Sequence, residues 1–348
     1  MKQRSLFAEE IAYDSLEKVN DPLVRIEKAV DWSIFEQPLK DFREGLRQKD
    51  SLGGRKPFPP LLMFKILVLQ ALYNLSDDAM EFQVRDRLSF RRFLGLSLEA
   101  KVPDAKTIWL FREQLTKAEL MKPLFDLFDG HIRKSGFEAK KGQIVDASIV
   151  KVPIQRNKRD ENRKIKDGEP PEDWPDNKRS QKDTDARWTK KNGKSSFGYK
   201  NHIEIDSQNK IIRKYSVTEA SVHDSNVFEE LIDPSNSSKD VYADSAYRSH
   251  EKISWLEEQG YRPKIQRKGY RGKPITWWEK QGNRTRSKVR SRVEHVFGAQ
   301  TMKAGNLIVR TIGKARASTA IGLRNLAYNI VRFSFLMMKS GAISAVPK

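Results

Sequence analysis

Residues 143–152, QIVDASIVKV, are the stretch on which the reading of this chain turns. Five of the ten are β-branched, a type that packs well on a pleated surface, so the run predicts a strand. An aspartate, Asp146, stands in its middle. A carboxylate inside an apolar strand loses hydration and needs a partner or a bound cation. A second stretch, DVYADSAY at 240–247, has the same texture, with Asp244 beside Ala243 as Asp146 is beside Ala147. One such aspartate reads most simply as the cap of the next turn. Two of them, on separate strand-like runs, point to a shared site.

Around these runs the second part of the chain alternates. Residues 155–197 are polar and basic, with RNKRDENRKIKDGEPPEDWPDNKRSQK near the start, and read as a long mobile insert. Strand-like segments return at YKNHIEID (199–206) and KIIRKYSVTEA (210–220), joined by the turn Ser207-Gln208-Asn209. Helix 224–231, strand 240–247, helix 250–259 with Gly260 as its C-terminal cap, and short strand 261–266 follow. VRSRVEHVFG (289–298) belongs to a late helix, and 318–338 form a strongly apolar last one. This order predicts an α/β domain over 141–340, a ribonuclease-H-like mixed sheet with flanking helices.

Residues 1–140 read as a helical domain. Pro59-Pro60 opens LLMFKILVLQALYNL, a buried helix by length and lack of turn residues. Ser76 caps the next helix, and Pro103-Asp104 starts another with Ile108, Phe111 and Leu115 on one face. Arg91, Arg92, Lys106 and Arg112 make the later helices compatible with a DNA-binding helix-turn-helix, and equally with a plain packing domain.

The 348 residues carry a net charge of +20, and its position is informative. From Arg262 onward there are 20 basic residues and two acids, Glu279 and Glu294, which leaves only +2 for the rest. A concentrated basic surface suits a polyphosphate, whose condensed counterions are released on binding. With no cysteine, thiolate zinc sites, disulfides and cysteine nucleophiles are excluded. No Gly-rich phosphate loop and no nucleophile elbow appear. The opening residues lack a secretory signal and no run reaches the ~20 apolar residues of a membrane span, so a cytoplasmic, nucleoid-associated protein with no membrane partner is expected.

Glu294 completes the acids. It lies in the most basic stretch, on an amphipathic segment with Val293, Val296 and Phe297. Ninety-seven residues separate Asp146 from Asp244 and 49 separate Asp244 from Glu294, too few for a large inserted β-domain. Three hard oxygen donors suit Mg²⁺, with Mn²⁺ as a substitute, in a two-metal phosphoryl transfer. Arg284, Arg286, Lys288, Arg290, Arg292 and Lys303 are the expected DNA contacts, with Lys200 as a further phosphate contact. His223, at the start of a helix beside Asp224, reads more readily as part of a cap than as a site histidine. His295 reads as a packing or DNA-facing residue. Trp277 and Trp278 read as core, with stacking on an unpaired base as the second reading.

The segments GGRKPFPPLLMFKILVLQALYNLSD (53–77), IVDASIV, DTDARWTKKNGKSSFGYKNH (183–202), TEASVHDS, VYADSAYRS, GNRTRS and RVEHVFG span most of the chain. With them the chain resembles bacterial insertion-sequence transposases of the Asp-Asp-Glu class, in insertion-sequence family five. The resemblance implies a ribonuclease-H-like catalytic domain, Mg²⁺ dependence, and cleavage and joining of double-stranded DNA at terminal inverted repeats by paired copies, hence a homodimer. It carries the triad onto Asp146, Asp244 and Glu294. In the wider group's Tyr-Arg-Glu-Lys signature Arg290 and Glu294 fit, while Ser287 stands at the Tyr position and Thr301 at the Lys position. Lys303 follows two residues later. A catalytically silent DNA-binding protein and a structure-selective nuclease of the same fold are the alternative readings.

Overall fold

The β-branched run at 143–152 forms β1 (Gln143–Lys151), a middle strand of a six-stranded sheet. The computed structural model describes residues 8–18, 21–46, 56–169, 172–191, 193–305 and 307–343. Two compact units are present, Met1–Ile132 with Leu323–Lys348, and Arg133–Gly322.

The second unit follows β1 with α-helices Arg159–Lys166 and Asp176–Ser180, then β2 (Arg187–Lys191), β3 (Lys194–Asp206) and β4 (Ile212–Glu219). A helical turn at Asp224–Val227 leads into helix Phe228–Leu231 and β5 (Asp240–Ala243), and a turn at Ser245–Tyr247 into helix His250–Glu258 and β6 (Arg262–Ile265). A long helix, Trp277–Ala304, comes next, and the last helix starts at Lys314. The strand order is β2-β3-β1-β5-β6, with β4 also paired to β3. β1 runs antiparallel to β3 and parallel to β5, so the sheet is mixed, as the element order predicts.

Because side chains alternate along a strand, the sheet has two distinct faces. On one, Val145, Val241 and Ala243 pack with Phe228, Leu231, Tyr247, Leu256 and Ile265 in a buried cluster. Helix Trp277–Ala304 packs against β1 and β5, with Val293 and Val296 fully buried. The β3–β4 hairpin is held by a fully buried ion pair, Arg213 Nε to Asp206 Oδ2 at 3.1 Å. Asp206 also accepts from the amides of Asn209 and Ile211, and Arg213 donates to Phe137 O at 2.6 Å, so neither charge relies on the other alone.

The insert at 155–197 is folded in its described residues, where the sequence reading expects a mobile loop. Ile165, Trp174 and Ala186 are buried, and Glu161 accepts from Trp174 Nε1 at 2.8 Å and Lys178 Nζ at 2.6 Å. The Lys178 bond, with those from the Lys158 amide and Trp174, holds the Glu161 carboxyl down at about 2. Tyr199 donates to Asp183 at 2.8 Å. Composition hides this order because a few apolar anchors and one acidic hub organise a segment that is polar on average.

In the first unit, helix Pro60–Tyr73 is buried along most of its length, at Met63, Phe64, Ile66, Leu67, Val68 and Leu69. It ends on Asn74, a left-handed residue with φ 53°. Ser76 and Asp104 cap the helices that follow them by accepting from Ala79 N and Thr107 N at 3.1 and 2.7 Å. The stretch from Leu323 groups with these N-terminal helices. The reason is apolar: Leu326, Ile330 and Phe333 are buried, and Phe333 meets Phe128 edge-on at 5.8 Å. Three of the four basic residues singled out there serve the fold. Arg91 donates to Leu98 O and Ala100 O, Arg92 pairs with Glu27, and Arg112 makes a two-pronged bond to Asp77. No helix among the described residues is long and apolar enough to cross a membrane.

Candidate active site

Asp146 and Asp244 come together through strand register. In the parallel pair β1–β5, Ile144 lies opposite Tyr242, and continuing two residues sets Asp146 level with Asp244 just past the end of β5. Asp244 caps the turn Ser245–Tyr247 by accepting the Ala246 amide, so the simple capping role is realised as well. Asp146 Oδ1 accepts from Ala147 N at 2.8 Å. Burial raises the Asp146 carboxyl above the ordinary carboxylate range; Arg290 and the Ala147 amide oppose this, and Asp244 adds to it. A buried carboxylate with a second carboxylate close by forms a locus that attracts cations.

The cation present is Arg290. Its Nη1 donates to Asp146 Oδ2 at 2.7 Å, and its Nη2 reaches Glu294 Oε1 at 3.4 Å, one helical turn along. The Asp146 and Arg290 side chains are mostly buried, while Glu294 is 64% exposed. Helix Trp277–Ala304 thus brings Glu294 to the site on its outer side, linked to Asp146 through the guanidinium. Among the described residues no three His, Cys, Asp or Glu lie close enough together to hold a metal ion. The donors still suit a hard divalent ion, since all are carboxylate oxygens and a positive group already bridges two of them.

The remaining predicted contacts divide by environment. Arg284 and Lys288 are exposed on the same helix, and Arg286 is half-buried against Asn283. Arg292 is anchored, donating to Ser207 O at 2.6 Å and to its hydroxyl. Lys200 is tied to Asp224 at 2.8 Å and to Val222 O at 2.6 Å, with its side chain 12% exposed, so it presents no free ammonium. The Lys303 side chain lies outside the described residues. Ser287 accepts from Gln266 Nε2 at 2.7 Å, and Thr301 donates to Phe297 O. His223 caps its turn through Ser225 and His295 is exposed. Trp277 and Trp278 are 60% and 79% exposed, contrary to the core expectation. They stand in the first turn of the helix, where neither indole has a layer to pack under.

One group near the acids escapes sequence reasoning. Tyr247, three residues after Asp244, is buried, and its hydroxyl has no hydrogen-bond partner among the described residues. Burial raises its phenol well above the ordinary value, reinforced by Asp224, Asp146 and Asp244 in that order. A tyrosine in an apolar turn gives no sign of this in the sequence.

Comparison with known families matches residues 138–330 to the model described as "Transposase DDE domain" and residues 11–114 to one described as "Transposase domain (DUF772)". Among solved structures, the chain is similar to the piggyBac transposase in a cryo-EM synaptic complex with hairpin DNA. The likeness has a TM-score of 0.50 at 13% identity, over 95% of this chain and 78% of that one, and it is a likeness of fold.

Proposed function

This chain belongs to the transposase DDE-domain family, and from that premise we propose that its cutting and joining of DNA runs on Asp146, Asp244 and Glu294 with Mg²⁺ as cofactor. Mn²⁺ is the natural substitute. The observation that carries the reading is the level placement of Asp146 and Asp244 on adjacent parallel strands, joined through Arg290 to Glu294. Asp146 and Asp244 would hold the metal, with Glu294 as the further ligand from its helix. When bound, two such ions activate a water or a 3′-hydroxyl and stabilise the leaving oxygen.

The chain's own residues supply the rest. Arg284 and Lys288, exposed along the helix, grip backbone phosphates of double-stranded DNA, and Arg290 joins them once it leaves Asp146. Arg292 ties the helix to Ser207 through Nη1. The finer assignments belong to the same reading: a ribonuclease-H-like catalytic unit, membership of insertion-sequence family five, cleavage at terminal inverted repeats, end recognition by the N-terminal helices, and a homodimer on paired ends. The test is a labelled duplex carrying an inverted repeat and flanking DNA, incubated with Mg²⁺ and wild type, Asp146→Asn or Glu294→Gln. Nicking at the element boundary by wild type, lost in both variants while duplex binding persists, is the expected result. Cleavage retained in Asp146→Asn overturns the assignment.

A further inference from the structure

The Tyr247 side chain is 1% exposed and its ring rests on Phe228, with centroids 5.4 Å apart. Phenylalanine would fill the same space without burying an unpaired hydroxyl. Buried hydroxyls are nearly always paired, because leaving one unmade forfeits its hydration for nothing. At this position the hydroxyl is a donor that the described fold leaves unused.

Its surroundings are acidic. The turn Asp224–Val227 packs against the turn Ser245–Tyr247, and the carboxylates bearing on the hydroxyl are Asp224, Asp146 and Asp244. Asp224 is already neutralised by Lys200 at 2.8 Å. Asp146 has Arg290 on one oxygen and the Ala147 amide on the other. Asp244 engages a single oxygen, Oδ1, on the Ala246 amide, as Asp224 engages Oδ1 alone on Lys200, and of these two Asp244 is the expected metal ligand.

We propose that Tyr247 is a positioning residue for the acids: its hydroxyl donates to the Asp244 carboxylate when that carboxylate turns onto a divalent ion, fixing the ligand oxygen. This rests on the metal-site reading above. Partners of this kind orient metal ligands, and losing one costs about 10–100-fold in affinity.

The test compares full-length wild type, Tyr247→Phe and Asp146→Asn by calorimetric titration with Mn²⁺ and by thermal unfolding without metal. Tyr247→Phe is expected to melt at the same temperature or higher, yet to bind Mn²⁺ about tenfold or more weakly. DNA affinity stays the same and strand cleavage slows in kcat. A lower metal-free melting temperature overturns the proposal whatever the affinity does, because it makes the hydroxyl structural. Unchanged Mn²⁺ affinity overturns it too. If Asp146→Asn also binds Mn²⁺ like wild type, the ligand set itself has failed; if Asp146→Asn loses the ion and Tyr247→Phe does not, only the role of Tyr247 has.

Discussion

Replacing Arg290 by glutamine should tighten metal binding while weakening the metal-free fold. The guanidinium donates to Asp146 Oδ2 at 2.7 Å, with the two side chains only 22% and 13% exposed. A hydrogen bond to a charged group contributes about 1.5–3 kcal/mol. An ion that needs Asp146 must break that bond first. With about 1.4 kcal/mol per tenfold, its removal strengthens divalent-ion binding by roughly ten- to a hundredfold. Without metal the same change strands a mostly buried carboxylate, at a cost of about 1–3 kcal/mol. Arg290 also opposes the rise that burial imposes on the Asp146 carboxyl. Its loss therefore lifts that carboxyl further, and metal binding fades at a higher pH on acidification. The assay is Mn²⁺ titration into DNA-free protein, with melting curves with and without Mg²⁺. Arg290→Gln should show a lower metal-free melting temperature and a larger metal-induced rise. Equal or weaker Mn²⁺ affinity would refute the idea that Arg290 occupies the place of the ion.

Two further outcomes follow from the sheet. His202 is fully buried, and its Nε2 donates to Thr218 Oγ1 at 2.8 Å, since that hydroxyl itself donates to Glu219 O. Burial pulls its pKa from 6.5 down to about 4, with Lys200 adding to the shift and Asp224 opposing it. The unfolded chain then binds the extra proton between those values. Stability should fall by about 3 kcal/mol as pH drops from about 6.5 to about 4, and His202→Gln should flatten that part of a denaturant-midpoint profile. Gly198 has φ +149°, and a Cβ there would lie 2.2 Å from Val150 O. Gly198→Ala should lower the melting temperature by several degrees and speed amide exchange in β1 and β3, whereas unchanged exchange would show that the strands can part at no cost.

Local chemistry made much of this legible in one dimension. The β-branched run around Asp146, the caps at Ser76 and Asp104, and the apolar stretch after Pro60 each act within a few residues, so they can be read in order along the chain. The concentration of positive charge toward the C-terminus is likewise a property of the sequence, because no folding changes it. Segments whose order depends on distant anchors could not be read so. Ile165, Trp174 and Tyr199 organise the insert across tens of residues, and Trp277 and Trp278 look like core until their helix leaves them outside.

The same division runs through the candidate site. The expectation that acids at 146, 244 and 294 share a site could be drawn from residue type and surroundings, since a carboxylate in an apolar strand or a basic helix carries an energetic cost wherever the chain goes. Which cation those acids hold was not. Lys200 and Arg292 read as phosphate contacts, yet one is neutralised by Asp224 and the other is pinned to Ser207, while Arg290 sits on Asp146. A basic side chain carries the same charge in any sequence position. Whether it is free for DNA depends on the acid or carbonyl within about 3 Å of it, and that neighbour is supplied by strand register and helix packing across as many as 144 residues of chain.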